Sequence, residues 1–177
     1  MKSLLCLLPA ILLCLSSLKA QAGYPSPPET FGSLFYIQRS GNTNTIVYDA
    51  NFKAMQQLDE KKPINIYWIR YTDGGTREGL SFIQRNLAYG VSVHRLGDNN
   101  FEFHLVSYAR KKFILEMGAN GKPQARLEVN GKQLVLRRIY VSIEPGSLWS
   151  LAPKVQYVDF YGSDPRTGKA VYEKFYP

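Results

Sequence analysis

The sequence predicts a mainly β protein, built as a single antiparallel barrel or sandwich of about nine short strands with one helix near residues 77–89. Short runs rich in β-branched and aromatic residues recur along the chain, as in half-buried strands. Close turn signals rich in Gly, Asn and Asp separate these runs, which favours hairpins over long parallel crossovers. Of the two architectures, a closed barrel would remove exposed strand edges and could hold a ligand in its mouth.

The first 22 residues have the pattern of a signal peptide. Lys2 gives a basic start, residues 4–18 are mostly apolar, and Ala20-Gln21-Ala22 places small residues where a signal peptidase reads, so cleavage is predicted near Ala22–Gly23. The apolar run is shorter than the ~20 residues of a membrane-spanning helix. We therefore predict an exported protein, periplasmic or secreted, whose mature chain has no transmembrane segment.

Cysteine content indicates how the fold is stabilised, and net charge indicates which kinds of molecule the protein could bind. Both cysteines, Cys6 and Cys14, lie in the predicted signal peptide, so the mature chain has none and its fold depends on its core alone. The whole chain has a net charge of +8, and it stays basic without Lys2 and Lys19. Such a charge favours anionic envelope polymers or lipid headgroups. The predicted compartment argues against nucleic acid.

The first part of the mature chain is a leader followed by three strands. Residues 23–33 are a Pro-rich leader, predicted to be extended on the surface or disordered, ahead of a single β-rich domain over residues 34–177. The first hairpin pairs Leu34–Arg39 with Thr45–Ala50 around a turn of Ser, Gly, Asn and Thr. Ile64–Tyr71 is the next strand.

The helix is predicted over Arg77–Tyr89, and Gly90 suits the left-handed position after its end. Its apolar residues fall on one face at helical spacing: Leu80, Ile83 and Leu87. The tetrapeptide FIQR at residues 82–85 nearly repeats YIQR at residues 36–39, which is predicted as strand. One of these two assignments could therefore be wrong.

A second hairpin over Val91–Ser107 turns around residues 97–100. If its alternating apolar residues share a buried face, His94, Glu102 and His104 share the opposite face. A three-residue loop places His94 across from His104, whereas a five-residue loop places it across from Glu102. Two imidazoles and a carboxylate could bind a metal or relay a proton, but on a solvent-facing surface they are ordinary edge residues.

The remaining strands are Phe113–Met117, Ala125–Val129, Lys132–Leu136 continuing to Ile143, Val155–Tyr161 and Ala170–Phe175. The two-residue turn Asn130-Gly131 is a strong hairpin signal and sets Leu127 opposite Leu134. Beyond it the phase of the apolar residues changes at Arg137-Arg138. We predict a β-bulge or sharp bend there.

No catalytic or cofactor motif stands out. The mature chain lacks cysteine, a Gly-x-Ser-x-Gly nucleophile context and a phosphate loop, so no cofactor is expected. Aromatic residues could line a pocket and stack on a sugar or an apolar ligand, or they could be cross-strand packing pairs. The predicted ligand-binding residues lie in and beside the first turn and on the neighbouring strands: Arg39, Asn42, Asn44, Tyr48, Asp49, Tyr67, Trp68 and Tyr89.

Several segments together resemble one family. They read FYIQRSGNTNTIVYDANF, YWIRY, FIQRNLAYGV and PKVQYVDFYG followed by TGK. They are similar to a family of exported bacterial domains known only as a domain of unknown function, over about Leu34 to Glu173. The resemblance implies a single domain in the bacterial envelope and brings no activity, cofactor or catalytic residue.

Three hypotheses follow. The first is a non-enzymatic exported cell-envelope protein that binds a small molecule or an envelope component. The second is a hydrolytic or metal-assisted enzyme using His94 and His104 with Glu102 or Asp49. The third is a basic module that docks on anionic lipid or polymer through the two basic clusters, Arg110–Lys112 and Arg137–Arg138.

Overall fold

The computed structural model describes residues 23–147 and 153–177. The predicted signal peptide, with both cysteines, lies outside the described residues. In chain order the strands are β1 (Ser33–Arg39), β2 (Thr45–Ala50), β3 (Phe52–Ala54), β4 (Gln57–Leu58), β5 (Ile64–Arg70), β6 (Thr76–Gly79), β7 (Val91–Gly97), β8 (Asn100–Leu105), β9 (Tyr108–Met117), β10 (Pro123–Val129), β11 (Lys132–Ile143), β12 (Val155–Ser163) and β13 (Ala170–Phe175).

The main sheet is curled into a half-barrel, which confirms the predicted fold class. Its path is β6-β5-β2-β1-β11-β10-β9-β8-β7, with β12 and β13 added beside β11. The small hairpin of β3 and β4 is separate. One pairing departs from the antiparallel pattern, because β1 runs parallel to β11 with Tyr36 opposite Arg138.

Strand β11 is shared by the two arms of the sheet. It pairs first with β10, at Val135 for example, and then with β1 from Arg138 onward, while β12 runs along its other edge. The register with β12 shifts between Leu136 and Arg138, so the predicted bulge is confirmed. Gly162 lies opposite this bulge, where a Cβ atom would come within 2.2 Å of the Val135 carbonyl oxygen.

The inner face of the curled sheet is filled by stacked aromatic rings. The ring centroids of Phe35 and Tyr48 are 4.4 Å apart, and those of Phe103 and Phe113 are 5.0 Å apart. Phe35 also stacks on Phe113 at 6.1 Å, which joins the two arms. Each of these side chains is at most 3% exposed. This aromatic stack is the centre of the hydrophobic core.

The predicted hairpins form with definite registers. β1 and β2 pair as predicted, and Leu127 lies opposite Leu134 around the Asn130-Gly131 turn. In the second hairpin His94 lies opposite Glu102, but the five-residue loop predicted with that pairing is wrong, because a register shift between Arg95 and Gly97 lets Gly97 pair with Asn100 around a two-residue turn.

The helix begins later than the sequence indicates. Residues 76–79 form β6, which pairs with β5, and an α-helical turn over Phe82–Gln84 continues as a π-helical turn over Arg85–Tyr89. We call residues 82–89 the seam helix. A capping box fixes its start, because Ser81 Oγ accepts from the Gln84 amide while Gln84 Oε1 accepts from the Ser81 amide. Among residues 23–147 and 153–177, no helix is both long enough and apolar enough to cross a membrane.

Candidate functional site

A row of side chains crosses the outer face of six neighbouring strands. Each member lies directly opposite the next in the strand registers. We call this set the tyrosine row, and in order it is Tyr67, Val47, Tyr36, Arg138, Tyr161 and Tyr172. Because strand side chains alternate between faces, these residues point away from the core, which is lined by their sequence neighbours.

Arg138 lies among the rings near the middle of this row. Its guanidinium carbon is 5.0 Å from the Tyr161 ring centroid and 5.6 Å from that of Tyr140, within range of cation–π attraction. Its Nε and Nη2 atoms are buried and have no hydrogen-bond partner among the described residues. Arg137, in contrast, is exposed and lies 3.7 Å from the Glu29 carboxylate. The predicted basic cluster is therefore split between two environments.

The β13 end of the outer face is held by internal bonds around Asp159. The Tyr172 hydroxyl donates to Asp159 Oδ1 at 2.9 Å, and Lys174 Nζ lies 2.9 Å from the same oxygen. Lys174 Nζ is also 3.3 Å from the centroid of the Tyr157 ring. The charges at this end are therefore already compensated within the protein.

The opposite end contains a buried carboxylate. The Tyr67 hydroxyl donates to Asp49 Oδ2 at 2.9 Å, and the Arg77 guanidinium lies 3.5 Å above the Tyr67 ring. Burial raises the pKa of Asp49, and the Tyr67 hydrogen bond and Arg77 oppose that rise. Burial, followed by the bond to Asp49, raises the pKa of Tyr67 to about 12. Tyr67 therefore stays a neutral donor at physiological pH.

The Pro-rich leader crosses the middle of the outer face. We call residues 24–28 the strap. The Tyr24 ring meets the Tyr140 ring edge-on, with centroids 5.4 Å apart. The Ser26 hydroxyl is 3.4 Å from the Tyr36 hydroxyl. The strap thus covers the centre of the tyrosine row, while Tyr67 at one end is buried beneath Arg77 and Tyr172 at the other end is exposed.

The seam helix presents its apolar side chains to solvent. Phe82 is 82% exposed, Ile83 is 65% exposed and Leu87 is 72% exposed. Leu80, which the sequence groups with them, precedes the helix and is buried. The apolar spacing at residues 83 and 87 therefore marks an outward surface and not a core contact.

The inward side of the seam helix is anchored by aromatic residues. The buried Tyr48 hydroxyl donates to the Tyr89 carbonyl at 2.7 Å. Trp68 Nε1 donates to Gln84 Oε1 at 3.1 Å, and the Trp68 ring meets the Tyr89 ring edge-on at 5.7 Å. The helix connects β6 and β7, which are the two end strands of the sheet path. It therefore spans the open seam of the half-barrel.

The predicted ligand-binding residues are distributed over three places. Asp49 and Tyr67 lie on the outer face, whereas Tyr48 and Trp68 pack beneath the seam helix and contact Tyr89 at its end. Burial raises the pKa of Tyr89, and the nearby Arg39 charge partly offsets that rise. The turn asparagines are structural. Asn42 Oδ1 accepts from the Asn44 amide, and Asn44 Oδ1 accepts from the amide and hydroxyl of Thr72.

Of the residues of the predicted metal site, Glu102 and His104 contact each other, and Glu102 also pairs with Lys112. Glu102 Oε2 lies 2.7 Å from Lys112 Nζ, and Glu102 Oε1 lies 3.1 Å from His104 Nε2. These contacts, with Lys112 first, lower the pKa of Glu102. His94 lies opposite Glu102 in the strand pairing. The described residues contain no group of three or more His, Cys, Asp or Glu side chains that could hold a metal ion.

Two depressions lie outside the places described so far. One of about 530 Å³ is lined by Gln57 and Leu58 of β4, by Glu60 just after it, and by Asp98 and Asn99 of the β7–β8 turn. The other, of about 340 Å³, lies on β9 and β10 beside Lys112 and Arg126. None of the predicted ligand-binding residues lines either one.

Sequence reasoning missed the outer-face residues beyond Tyr67. They are Tyr140, Asp159, Tyr161 and Tyr172, whereas Arg138 was named only as part of a basic cluster. A signal was present, because Tyr157 and Tyr161 are four residues apart on a predicted strand and therefore share one face of it. What sequence lacked was the β1–β11 pairing that brings the two halves of this face together.

Comparisons with known proteins give one match. A family model described as Domain of unknown function (DUF4833) matches residues 35–174. No curated protein matches the chain, and no solved structure does.

Proposed function

The chain belongs to the family described as Domain of unknown function (DUF4833), and on that premise we propose that it is a non-enzymatic, exported cell-envelope protein that docks on an anionic lipid surface through the seam helix. The exposure of Phe82, Ile83 and Leu87 on one anchored helix carries this proposal. Large apolar groups clustered on a surface are typical of a binding site for a membrane or partner.

The energetics favour a membrane role for this cluster. Fully burying a side chain such as Phe or Leu is worth about 1.5–3 kcal/mol, so three of them supply a substantial part of an interfacial binding energy. The capping box at Ser81 and the Tyr48 hydrogen bond hold the helix in place. Binding therefore requires little further loss of conformational entropy in the helix.

The charge of the protein favours an anionic surface as the binding partner of the seam helix. The seam helix contains the exposed Arg85 and no acidic residue, and the whole chain has a net charge of +8. A basic residue near an anionic bilayer contributes about 1 kcal/mol. Apolar insertion and charge attraction thus act at the same place, as in interfacial helices.

The geometry also bears on the alternatives drawn from sequence. Stacked rings fill the inner face, so a surface is the better place for a ligand. Lys112 is paired with Glu102, and Arg138 lies among tyrosine rings, so one residue of each basic cluster already has a partner within the chain, while Arg110 and Arg137 are exposed. For the enzyme hypothesis, Glu102 is already held by Lys112 and His104.

Vesicle co-sedimentation tests the proposal. The protein is mixed with vesicles of phosphatidylcholine alone or with added phosphatidylglycerol. We expect binding to the anionic vesicles, and we expect the combined Phe82→Ser, Ile83→Ser and Leu87→Ser variant to bind about tenfold or more weakly. Met55→Ser is the matched control, because Met55 is also apolar and is 94% exposed, but it lies in the β3–β4 turn and not in the seam helix.

Changes in salt concentration and in the charge of residue 85 separate the electrostatic contribution to vesicle binding from the apolar one. Arg85→Gln is expected to weaken binding to anionic vesicles only, and added salt should weaken wild-type binding since exposed charges are screened. Absence of vesicle binding, or equal binding by the triple serine variant, would contradict the proposal. A dimer that disappears in that variant would assign the helix to a second copy instead.

A further inference from the structure

We propose that the outer face carries a recognition groove for a Pro-rich extended peptide, and that the strap is such a ligand bound within the same chain. The groove is formed by Tyr36, Gln38, Tyr71 and Tyr140. The partner is defined by its chemistry, as a free or exposed segment with prolines spaced like those of the strap.

The strap has the conformation that such grooves select. Pro25, Pro27 and Pro28 fix their own φ angles near −65°, and a proline pushes the residue before it toward extended backbone. Together these restraints favour polyproline II, in which the backbone makes no internal hydrogen bonds. The carbonyl oxygens of the strap are therefore free to accept bonds from another surface.

Two side chains of the groove donate to consecutive carbonyls of the strap. Gln38 Nε2 donates to the Pro25 carbonyl at 2.8 Å, and the Tyr71 hydroxyl donates to the Ser26 carbonyl at 3.1 Å. Gln38 is 1% exposed, and its amide nitrogen also lies 3.0 Å from the Thr45 hydroxyl. The donor is therefore oriented by the sheet and is not a mobile surface amide.

Aromatic rings complete the groove. Tyr24 of the strap packs edge-on against Tyr140, while Tyr36 and Tyr71 contact Ser26, two residues further on, through their hydroxyl groups. Rings with hydrogen-bond donors aimed at carbonyls are the means by which proteins recognise polyproline II segments. In the bound strap the Tyr140 ring contacts the Tyr24 ring, and the Gln38 and Tyr71 donors bind backbone carbonyls.

The strap can be exchanged because few contacts hold it. A short tether over residues 29–32 joins it to β1, which gives it an effective concentration of order millimolar at the groove. A peptide of the same sequence added in solution must compete with that concentration. Releasing the strap should therefore expose a site whose occupancy is masked in the wild-type protein.

Fluorescence anisotropy with a labelled peptide tests the groove. The probe is the heptapeptide GYPSPPE, which corresponds to residues 23–29. The full mature chain carrying Tyr24→Ser, Pro25→Ser, Pro27→Ser and Pro28→Ser is the released variant. We expect it to bind the probe about tenfold or more tightly than wild type, and adding Tyr71→Phe to weaken that binding.

Control variants keep the test interpretable. Tyr172→Phe removes a hydroxyl from the same face beyond the strap and should leave probe binding unchanged. Thermal unfolding of each variant verifies the fold. No probe binding by a folded released variant overturns the proposal, and so does equal binding of a probe with alanine in place of its prolines. Vesicle binding by the seam helix does not depend on the strap, so each proposal can fail separately.

Discussion

The inner and outer faces of the main sheet are both rich in aromatic residues, yet their side chains make different contacts. Phe35 and Tyr36 are neighbours in sequence, but Phe35 stacks on other rings in the core while Tyr36 faces the strap. Inside, the rings are at most 3% exposed and pack mainly on one another. Outside, tyrosine hydroxyls bond to carboxylates and carbonyls. The inner stack therefore stabilises the core mainly by ring packing, with one hydroxyl bond from Tyr48 to the Tyr89 carbonyl, whereas the outer tyrosines contribute mainly polar contacts.

The largest expected difference between the faces is in stability. Phe103→Ala removes a fully buried ring from the aromatic stack and should lower the free energy of unfolding by about 3–5 kcal/mol. Tyr172→Ala, on the outer face and 49% exposed, should cost about 1 kcal/mol or less. Urea unfolding measures both. Equal costs would show that the outer face is a second core.

The β-bulge in β11, which keeps the apolar residues on either side of it directed to the core, depends on Gly162. In Gly162→Ala the new Cβ would meet the Val135 carbonyl oxygen at 2.2 Å, so the backbone must move, and we expect a loss of about 3 kcal/mol. Gly97→Ala is the control, since nothing lies within 4 Å of its added Cβ. Denaturant midpoints of the two variants give the comparison. A tolerated alanine at residue 162 would mean that the bulge is easily displaced.

Hydroxyl removal compares the faces at a single atom. In Tyr48→Phe the Tyr89 carbonyl loses its buried donor, and we expect a loss of about 1–2 kcal/mol with a change in Trp68 fluorescence as the seam helix loosens. Tyr161→Phe should have an effect of about 0.5 kcal/mol or less, because Asp159 keeps its bonds to Tyr172 and Lys174. A larger loss of stability in Tyr161→Phe than in Tyr48→Phe would contradict this expectation.

The smallest effect is a pH dependence at Asp49. Its pKa is raised in the folded state, so folding binds a proton as pH passes from the ordinary carboxyl range up to the raised value, and stability falls over that interval. Asp49→Asn should therefore melt at a higher temperature than wild type at pH 7, and the advantage should disappear in acid.

Asp59 supplies the matched control of opposite sign. The amides of Lys62 and Lys61 lower its pKa, so Asp59→Asn should reduce stability at pH 7 and have less effect once the pH falls below the lowered value. Thermal unfolding across pH measures both variants. The same sign for both would contradict the assigned causes.

Local patterns in the sequence were enough to predict the hairpins. The Asn130-Gly131 turn fixed the pairing of Leu127 with Leu134, and the change of apolar phase at Arg137 located the bulge. These features depend on residues close together in the chain. That is why their registers could be derived without a structure.

Features set by tertiary context were not predictable in the same way. YIQR at residues 36–39 is strand, whereas FIQR at residues 82–85 is helical. Ser81 caps the second segment, and β2 and β11 pair with the first. The outward direction of Ile83 and Leu87 likewise depends on where the core lies and not on their spacing. The candidate site was dispersed for the same reason, because period-two alternation sends Tyr48 and Asp49 to opposite faces.

The parallel pairing of β1 with β11 also sets an order of events in folding. β1 can pair with β11 only after Arg138, about one hundred residues beyond Tyr36, has been made. Such non-local pairing slows folding. Until β11 arrives, one edge of the first hairpin stays open to pairing with other chains. In a chain that emerges from its N-terminus, the strap is beside that hairpin from the start. The strap can contact the outer face of this hairpin through Tyr36 and Gln38 before β11 is made, and its prolines disfavour adding it to the sheet as another strand.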